Sequence, residues 1–230
     1  MVKQYSLILV VNYETERLLR AVGAKDVHLF LDAGVPRGFG LLAPPEPQMK
    51  EGFTLLWAGR LEPRKALPLA LEALAQVRDP VHLVVAGDGP MRETWRRYAR
   101  ELGVQERVTF LGMVSREEMI RLFQNVDAFI FTSLRDTFGS VVLEAMAFGL
   151  PVIVPDHQGV GAFVPANAGI KVPVSTPELT VRGFAEAIER LYKDYDLRFS
   201  LARGAWASAQ EHRWERKVER MLELYEKILD

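Results

Sequence analysis

The sequence predicts an α/β chain built on a doubly wound parallel sheet, and three observations carry that expectation. Short apolar runs recur at 53–58, 81–86, 108–111, 128–131 and 152–154, and read as strands buried on both faces. Stretches with helical spacing lie between them, at about 67–78, 91–102, 116–124 and 140–148. The chain of 230 residues, 49% apolar and 26% charged, is long enough to bury a full α/β core. Regular strand–helix alternation demands crossover connections, hence parallel strands with ligands expected at their carboxyl ends.

Residues 7–11, a short helix over 15–22 and residues 27–31 form a βαβ piece too small to hold its own core. It reads as the tail of a preceding domain or as extra strands on the main sheet. A proline-rich stretch at 42–49 follows and suits a linker. The alternating strands and helices come next. Beyond Lys171 the pattern is helical, at about 177–193, 197–210 and 214–229. The last helix places Trp214, Val218, Met221, Leu222, Tyr225, Ile228 and Leu229 on one face, suited to packing on this chain's core or on an adjoining domain.

Composition excludes several classes of function. A net charge of −1 gives no electrostatic footprint for nucleic acid. The absence of cysteine removes disulfides, thiolate nucleophiles and cysteine-ligated zinc, and a reducing, cytoplasmic setting is the natural expectation. His28, His82, His157 and His212 are too scattered for metal-ligand spacing. The apolar run at 5–11 is too short to span a bilayer.

Asp136 and Glu144, eight residues apart, are the most informative pair. Glu144 lies among Val141, Val142, Leu143, Ala145, Met146 and Ala147, where a carboxylate is costly unless a partner satisfies it; a polyhydroxylated ligand does so well. Gly139 stands near the start of that helix, whose free N–H groups favour an anion. Glu144 follows about five residues, or ~7 Å, further along. Asp136 can cap the helix, contact the ligand, or do both.

Gly59-Arg-Leu-Glu-Pro-Arg-Lys65 ends the first buried strand. Its glycine admits close approach and Arg60 and Lys65 can hold a diphosphate, although solvated cations on a surface turn have the same sequence. Gly87-Asp-Gly-Pro90 fails the dinucleotide fingerprint because Arg92 occupies the third glycine position, so no nicotinamide or flavin is inferred. Phe110-Leu-Gly-Met-Val114 either offers backbone groups to a nucleobase edge or is simply a strand end. Ser115 and Glu118 form a capping box for the next helix. His157, past the strand at 152–154, lies on the loop edge where ligands collect, a place that solvated histidines also occupy.

These motifs, with Gly149-Leu-Pro-Val-Ile153, occur in an order that resembles the donor half of the retaining, GT-B fold glycosyltransferases of family 4 (glycosyl transferases group 1). The resemblance runs from about 53 to 194. It implies a Rossmann-like half of a GT-B fold, with residues 1–41 a remnant of the preceding acceptor domain and 42–50 a linker. Residues 51–210 would then be the nucleotide-sugar donor-binding domain and 211–230 a C-terminal helix. By the resemblance, Arg60, Lys65 and Asp136 are the catalytic positions: the cations hold the donor diphosphate and Asp136 meets the transferred sugar. Gly59, Thr137, Phe138, Gly139 and Ser140 line the donor, Glu144 accepts from the ribose, and Met113 and Val114 lie where the base is contacted. Two departures stand out: Asp136 replaces the usual glutamate, and Ala66 stands where glycine usually follows the lysine.

The activity implied is retaining, metal-independent hexosyl transfer from UDP- or GDP-sugar in polysaccharide or glycoconjugate biosynthesis, with no cofactor and no nucleic-acid partner. The expected partners are a saccharide or lipid-linked acceptor and the missing N-terminal acceptor domain, which could bring the protein to the inner face of the membrane. Without that domain, the isolated chain is expected to be inactive. The alternatives are a non-catalytic nucleotide-sugar-binding module and a related GT-B enzyme such as a sugar-nucleotide epimerase.

Overall fold

The computed structural model describes residues 6–46, 52–136 and 138–229. The chain enters through β1 (Ile8–Val10), α1 (Tyr13–Ala21) and β2 (Val27–Leu29). Among the described residues β1 and β2 pair only with one another, parallel, over a small cluster of Val10, Ala24 and Val27. They are not extra strands of the main sheet.

That sheet comprises β3 (Phe53–Ala58), β4 (Val81–Ala86), β5 (Val108–Gly112), β6 (Ala128–Ile130), β7 (Val152–Pro155) and β8 (Gly169–Val172), all parallel. The helices between are α2 (Leu67–Gln76), α3 (Arg92–Glu101), α4 (Arg116–Asn125), α5 (Ser140–Ala147) and α6 (Gln158–Phe163). α7 (Pro177–Lys193), α8 (Tyr195–Glu211) and α9 (Trp214–Leu229) complete the chain.

Period-two alternation divides the strand side chains between two cores. Phe53, Leu55, Trp57, Ile130 and Ile153 face one way, against the apolar sides of α2, α3 and α7. Leu56, Ala58, Phe129, Val152 and Val154 face the other, against α5 and the small residues Ala205 and Ala209 of α8. Leu56 and Phe129 are wholly buried, and each such side chain contributes ~1.5–3 kcal/mol. The edge strand β5 buries less, which accounts for Thr109 and Leu111 being exposed there.

Strand order is β5–β4–β3–β6–β7–β8. From β3 the chain winds outward through β4 to β5, then returns to the other side of β3 to lay down β6. The connections leaving β3 and β6 therefore diverge, and a crevice opens between them at the carboxyl ends. This is where the two catalytic segments read from the sequence emerge.

α9 runs back to the entry segment. Val35 N–H donates to the His212 carbonyl (2.9 Å), and the buried Lys217 ammonium donates to the Leu31 carbonyl. Gly34 lies flat beneath Trp214, where a Cβ would come within 2.7 Å of the indole. The apolar face expected for α9 is not covered by this chain's core: Trp214, Val218, Leu222 and Tyr225 are exposed. Among the described side chains of α9, Lys217 and Leu224 are buried, because the helix packs with a different side inward.

Candidate functional site

Three strand ends are stitched together beside the crevice. The Gly59 N–H donates to the Ala86 carbonyl (3.0 Å), Leu61 N–H to Asp88 (2.9 Å) and Gly87 N–H to Gly112 (2.8 Å). Gly87 has φ +131°, and a Cβ there would fall 1.9 Å from the Gly59 carbonyl oxygen. Only glycine fits so close an approach. The Gly87-Asp-Gly89 turn thus clamps the β3 loop in place, and Asp88 closes it by accepting from Gly89 N–H and Arg92.

Beyond β3 the loop tightens into a single 3₁₀ turn, Pro63–Lys65, which ends at Ala66 in the left-handed region (φ 48°, ψ 41°). This conformation, which glycine adopts more readily, turns the chain into α2 and sets Lys65 facing the β6 loop. The Lys65 carbonyl accepts from the Thr132 hydroxyl (2.9 Å), which itself accepts from Trp57 Nε1 (3.0 Å). The lysine backbone is therefore anchored to both central strands. Its ammonium pairs with Asp136 and stands 5.8 Å from the centre of the Phe131 ring. Both partners are largely buried, at 15% and 17% side-chain exposure, whereas Arg64, 3.5 Å from the same carboxylate, is 44% exposed.

α5 begins after Gly139, whose φ of +83° and contact with Phe131, 2.6 Å from any added Cβ, require glycine. In its first turn Val142 N–H donates back to the Gly139 carbonyl (2.9 Å), while Ser140 and Val141, whose N–H groups precede the helical ladder, line the crevice. A cavity of about 570 Å³ results, lined by Gly59, Lys65, Asp136, Phe138, Gly139 and Ser140, and by Asp32, Ala33 and Met119 opposite. Met119 also lines an adjoining cavity of about 290 Å³, whose walls include Glu144, Arg116, Phe39 and Pro36. Burial raises the Glu144 carboxyl above the ordinary glutamate range, and the Arg116 charge partly opposes this. A groove of about 540 Å³ at the opposite, amino edge, along residues 41–46, is comparable in volume. It lies away from the switch point where open α/β sheets bind ligands.

The structure brings Gly59, Lys65, Asp136, Phe138, Gly139 and Ser140 around one cavity and puts Glu144 in the next. Arg60 is not among them. Its guanidinium pairs with Glu62 (2.5 Å) and its side chain is 68% exposed, since the sharp turn after Gly59 aims it away from the crevice. Asp136 does not cap α5: the N-cap is Gly139, with no side-chain acceptor, and the Asp136 carboxylate is held by Lys65 and Arg64. Met113 is 78% exposed at the end of β5, and Val114 packs on the second core. Thr137 lies outside the described residues. The Ser115–Glu118 capping box forms in both directions, at 3.1 and 2.7 Å.

Four positions were not legible from sequence. Asp32 and Ala33 reach the cavity only because the entry segment folds back over the sheet, and Met119 looks like an ordinary helix-core residue. Gln158 sits at φ +52°, and its side-chain carbonyl accepts the Asp136 N–H (3.0 Å). It ties the acidic loop to β7, and no local pattern announces it.

The chain matches the family model "Glycosyl transferases group 1" over residues 43–206. It is 30% identical over 190 residues to the D-inositol 3-phosphate glycosyltransferase of Salinispora tropica, covering 76% of this chain and 38% of that protein. Among solved structures, sucrose-phosphate synthase of Thermosynechococcus elongatus superposes with a TM-score of 0.79 at 24% identity, over 99% of this chain and 59% of the other. HepE of Anabaena, solved with UDP and glucose, gives 0.75 at 20% identity, over 96% and 63%. The chain spans about two fifths of the length of the curated relatives it matches. These likenesses carry the fold, which is that of a GT-B glycosyltransferase domain; by its family match, the chain belongs to the glycosyl transferases group 1 family.

Proposed function

We propose that this chain is the donor-binding part of a retaining glycosyltransferase and grips a nucleoside diphosphate sugar across its two joined cavities. The observation that supports this most is positional. Lys65 and the first turn of α5 face one cavity, and Glu144 stands one turn along the same helix in the next. A diphosphate would lie between the Lys65 ammonium and the open amides of α5. The ribose hydroxyls would satisfy Glu144, which the protein leaves half-buried with no fixed hydrogen bond among the described residues.

In transfer, the bond between the anomeric carbon and the diphosphate oxygen breaks and its electron pair stays on the diphosphate. The acceptor hydroxyl then bonds to the anomeric carbon from the same face and passes its proton to the departing diphosphate oxygen. Lys65 and the helix start meet the charge that grows on the leaving group, whereas Arg60, exposed and paired with Glu62, stands outside this set. Losing one such preorganised donor costs ~10²–10³ in rate. Asp136, held by Lys65, Arg64 and the Gln158 side chain, is positioned toward the sugar. These groups need no resident cofactor or metal, and the reaction fits the cytoplasmic setting expected from the sequence.

UDP and GDP are the donors we favour, UDP being the nucleotide bound in the Anabaena neighbour. Because the chain spans two fifths of its relatives, we assign binding to this segment and transfer to the longer enzyme. Calorimetric titration of the chain with UDP, GDP, ADP and dTDP tests the reading: at least one should bind. Failure of all four would overturn it.

A further inference from the structure

We propose that Arg116 is a specificity-determining residue that reads the nucleobase and favours bases carrying carbonyl acceptors, uracil or guanine, over adenine. The inference rests on the donor-binding reading above. It adds a residue and a selection rule.

Arg116 is the first residue of α4, held in place by the Ser115–Glu118 capping box one position earlier. Its guanidinium lies 5.4 Å from the centre of the Phe39 ring, and both line the cavity that contains Glu144. Among the described residues it makes no hydrogen bond or ion pair of its own, whereas Arg64, Arg92 and Arg213 are all engaged. Its charge reaches Glu144 through space, opposing the effect of burial there.

Connectivity of a nucleotide then fixes what must lie beside it. The diphosphate and the base leave the ribose on opposite sides. With the diphosphate at Lys65 and the ribose at Glu144, the base projects onward, toward α4 and the end of β5. The Arg116 end of the cavity is that place, walled by Phe39, Pro36 and Ile120. Met113, exposed just past β5, lies three residues before Arg116 in the chain.

A guanidinium laid over an aromatic ring keeps its N–H groups in its own plane, directed outward. Such a fork pairs with two neighbouring acceptors, as arginine pairs with O6 and N7 of guanine, and with a carbonyl of uracil. Adenine sets an amino donor beside N7, so it offers no matching pair and opposes one donor to another.

Titration of wild type and Arg116→Gln with UDP, GDP, ADP and inorganic pyrophosphate tests this directly. Wild type should bind UDP or GDP about tenfold or more tightly than ADP. Arg116→Gln should erase most of that gap while leaving pyrophosphate binding and the melting temperature unchanged. Arg116→Lys, a point charge without a fork, should fail to restore the gap. An equal fall for all four probes would make Arg116 a general anion contact and overturn the proposal, as would no change or a preference for ADP in wild type. If no nucleotide binds at all, the donor-binding reading itself has failed, which is a separate result.

Discussion

Replacing Lys65 by alanine removes a largely buried cation that faces the cavity, and the size of the effect can be worked from its surroundings. An ammonium about 4 Å from a phosphate contributes ~4 kcal/mol at an effective dielectric near 20. Part of this is already spent, because Lys65 pairs with Asp136 and must share its charge when a diphosphate arrives. The net loss expected for a charged hydrogen bond is ~1.5–3 kcal/mol, or roughly a ten- to 150-fold weaker Kd. Arg60→Ala is the internal control. Its side chain is 68% exposed and paired with Glu62, so its loss should cost less than ~1 kcal/mol. Titration of both variants with the nucleoside diphosphate that binds wild type best, at fixed ionic strength, separates the two. Equal losses, or an unchanged affinity in Lys65→Ala, would refute the assignment of the cavity to the diphosphate.

Further expectations concern Glu144, Ala66 and His212. Glu144 accepts ribose hydroxyls more strongly when ionised, and burial raises its pKa, so nucleotide affinity should fall with falling pH earlier than an ordinary glutamate would dictate. Glu144→Gln should bind more weakly and lose this pH dependence; a variant that keeps it would clear Glu144 of the role. Ala66→Gly should stabilise the chain by up to ~1 kcal/mol in urea unfolding, since relief of the left-handed strain exceeds the added freedom of the unfolded chain. A clear loss of stability would mean that residue 66 is unstrained. His212 is held neutral by burial and by Lys217 and Arg220, which lower its pKa from 6.5 to about 4. The unfolded chain therefore takes up the proton first, so this stability is complete above pH 6.5 and drains away as pH falls toward 4, by ~3 kcal/mol in all. His212→Leu should flatten that part of the pH–stability curve, and an unaltered curve would count against the burial argument.

Much of the fold was legible because its determinants are local. The buried strands Phe53–Ala58 and Val81–Ala86 are unbroken apolar runs, and α4 begins where its capping box says it should. α6 and β8 were not anticipated, for physical reasons. α6 has six residues with Gly159 and Gly161 among them, and β8 is a four-residue edge strand carrying Lys171, so neither shows a clear apolar period. At the site, glycine and charge patterns named most of the wall. Arg60 and Lys65 looked equivalent in sequence, yet a turn of a few residues aims one outward and the other inward. The partners that hold Asp136 come from segments far apart in the chain, and only the topology brings Arg64, Lys65 and Gln158 to one carboxylate loop.

The departure at Ala66 also has a physical reading. Glycine is the expected residue after the lysine because that position is left-handed, and this chain keeps the conformation with alanine. Alanine at this position places left-handed strain on the turn that carries Lys65.

A crystal structure of the chain with its preferred nucleoside diphosphate is the most direct measurement of the central idea. It should show phosphate oxygens within hydrogen-bond reach of Lys65 and the α5 amides, with ribose hydroxyls on Glu144. A nucleotide seated instead in the groove along residues 41–46, with Lys65 still closed on Asp136, would contradict it.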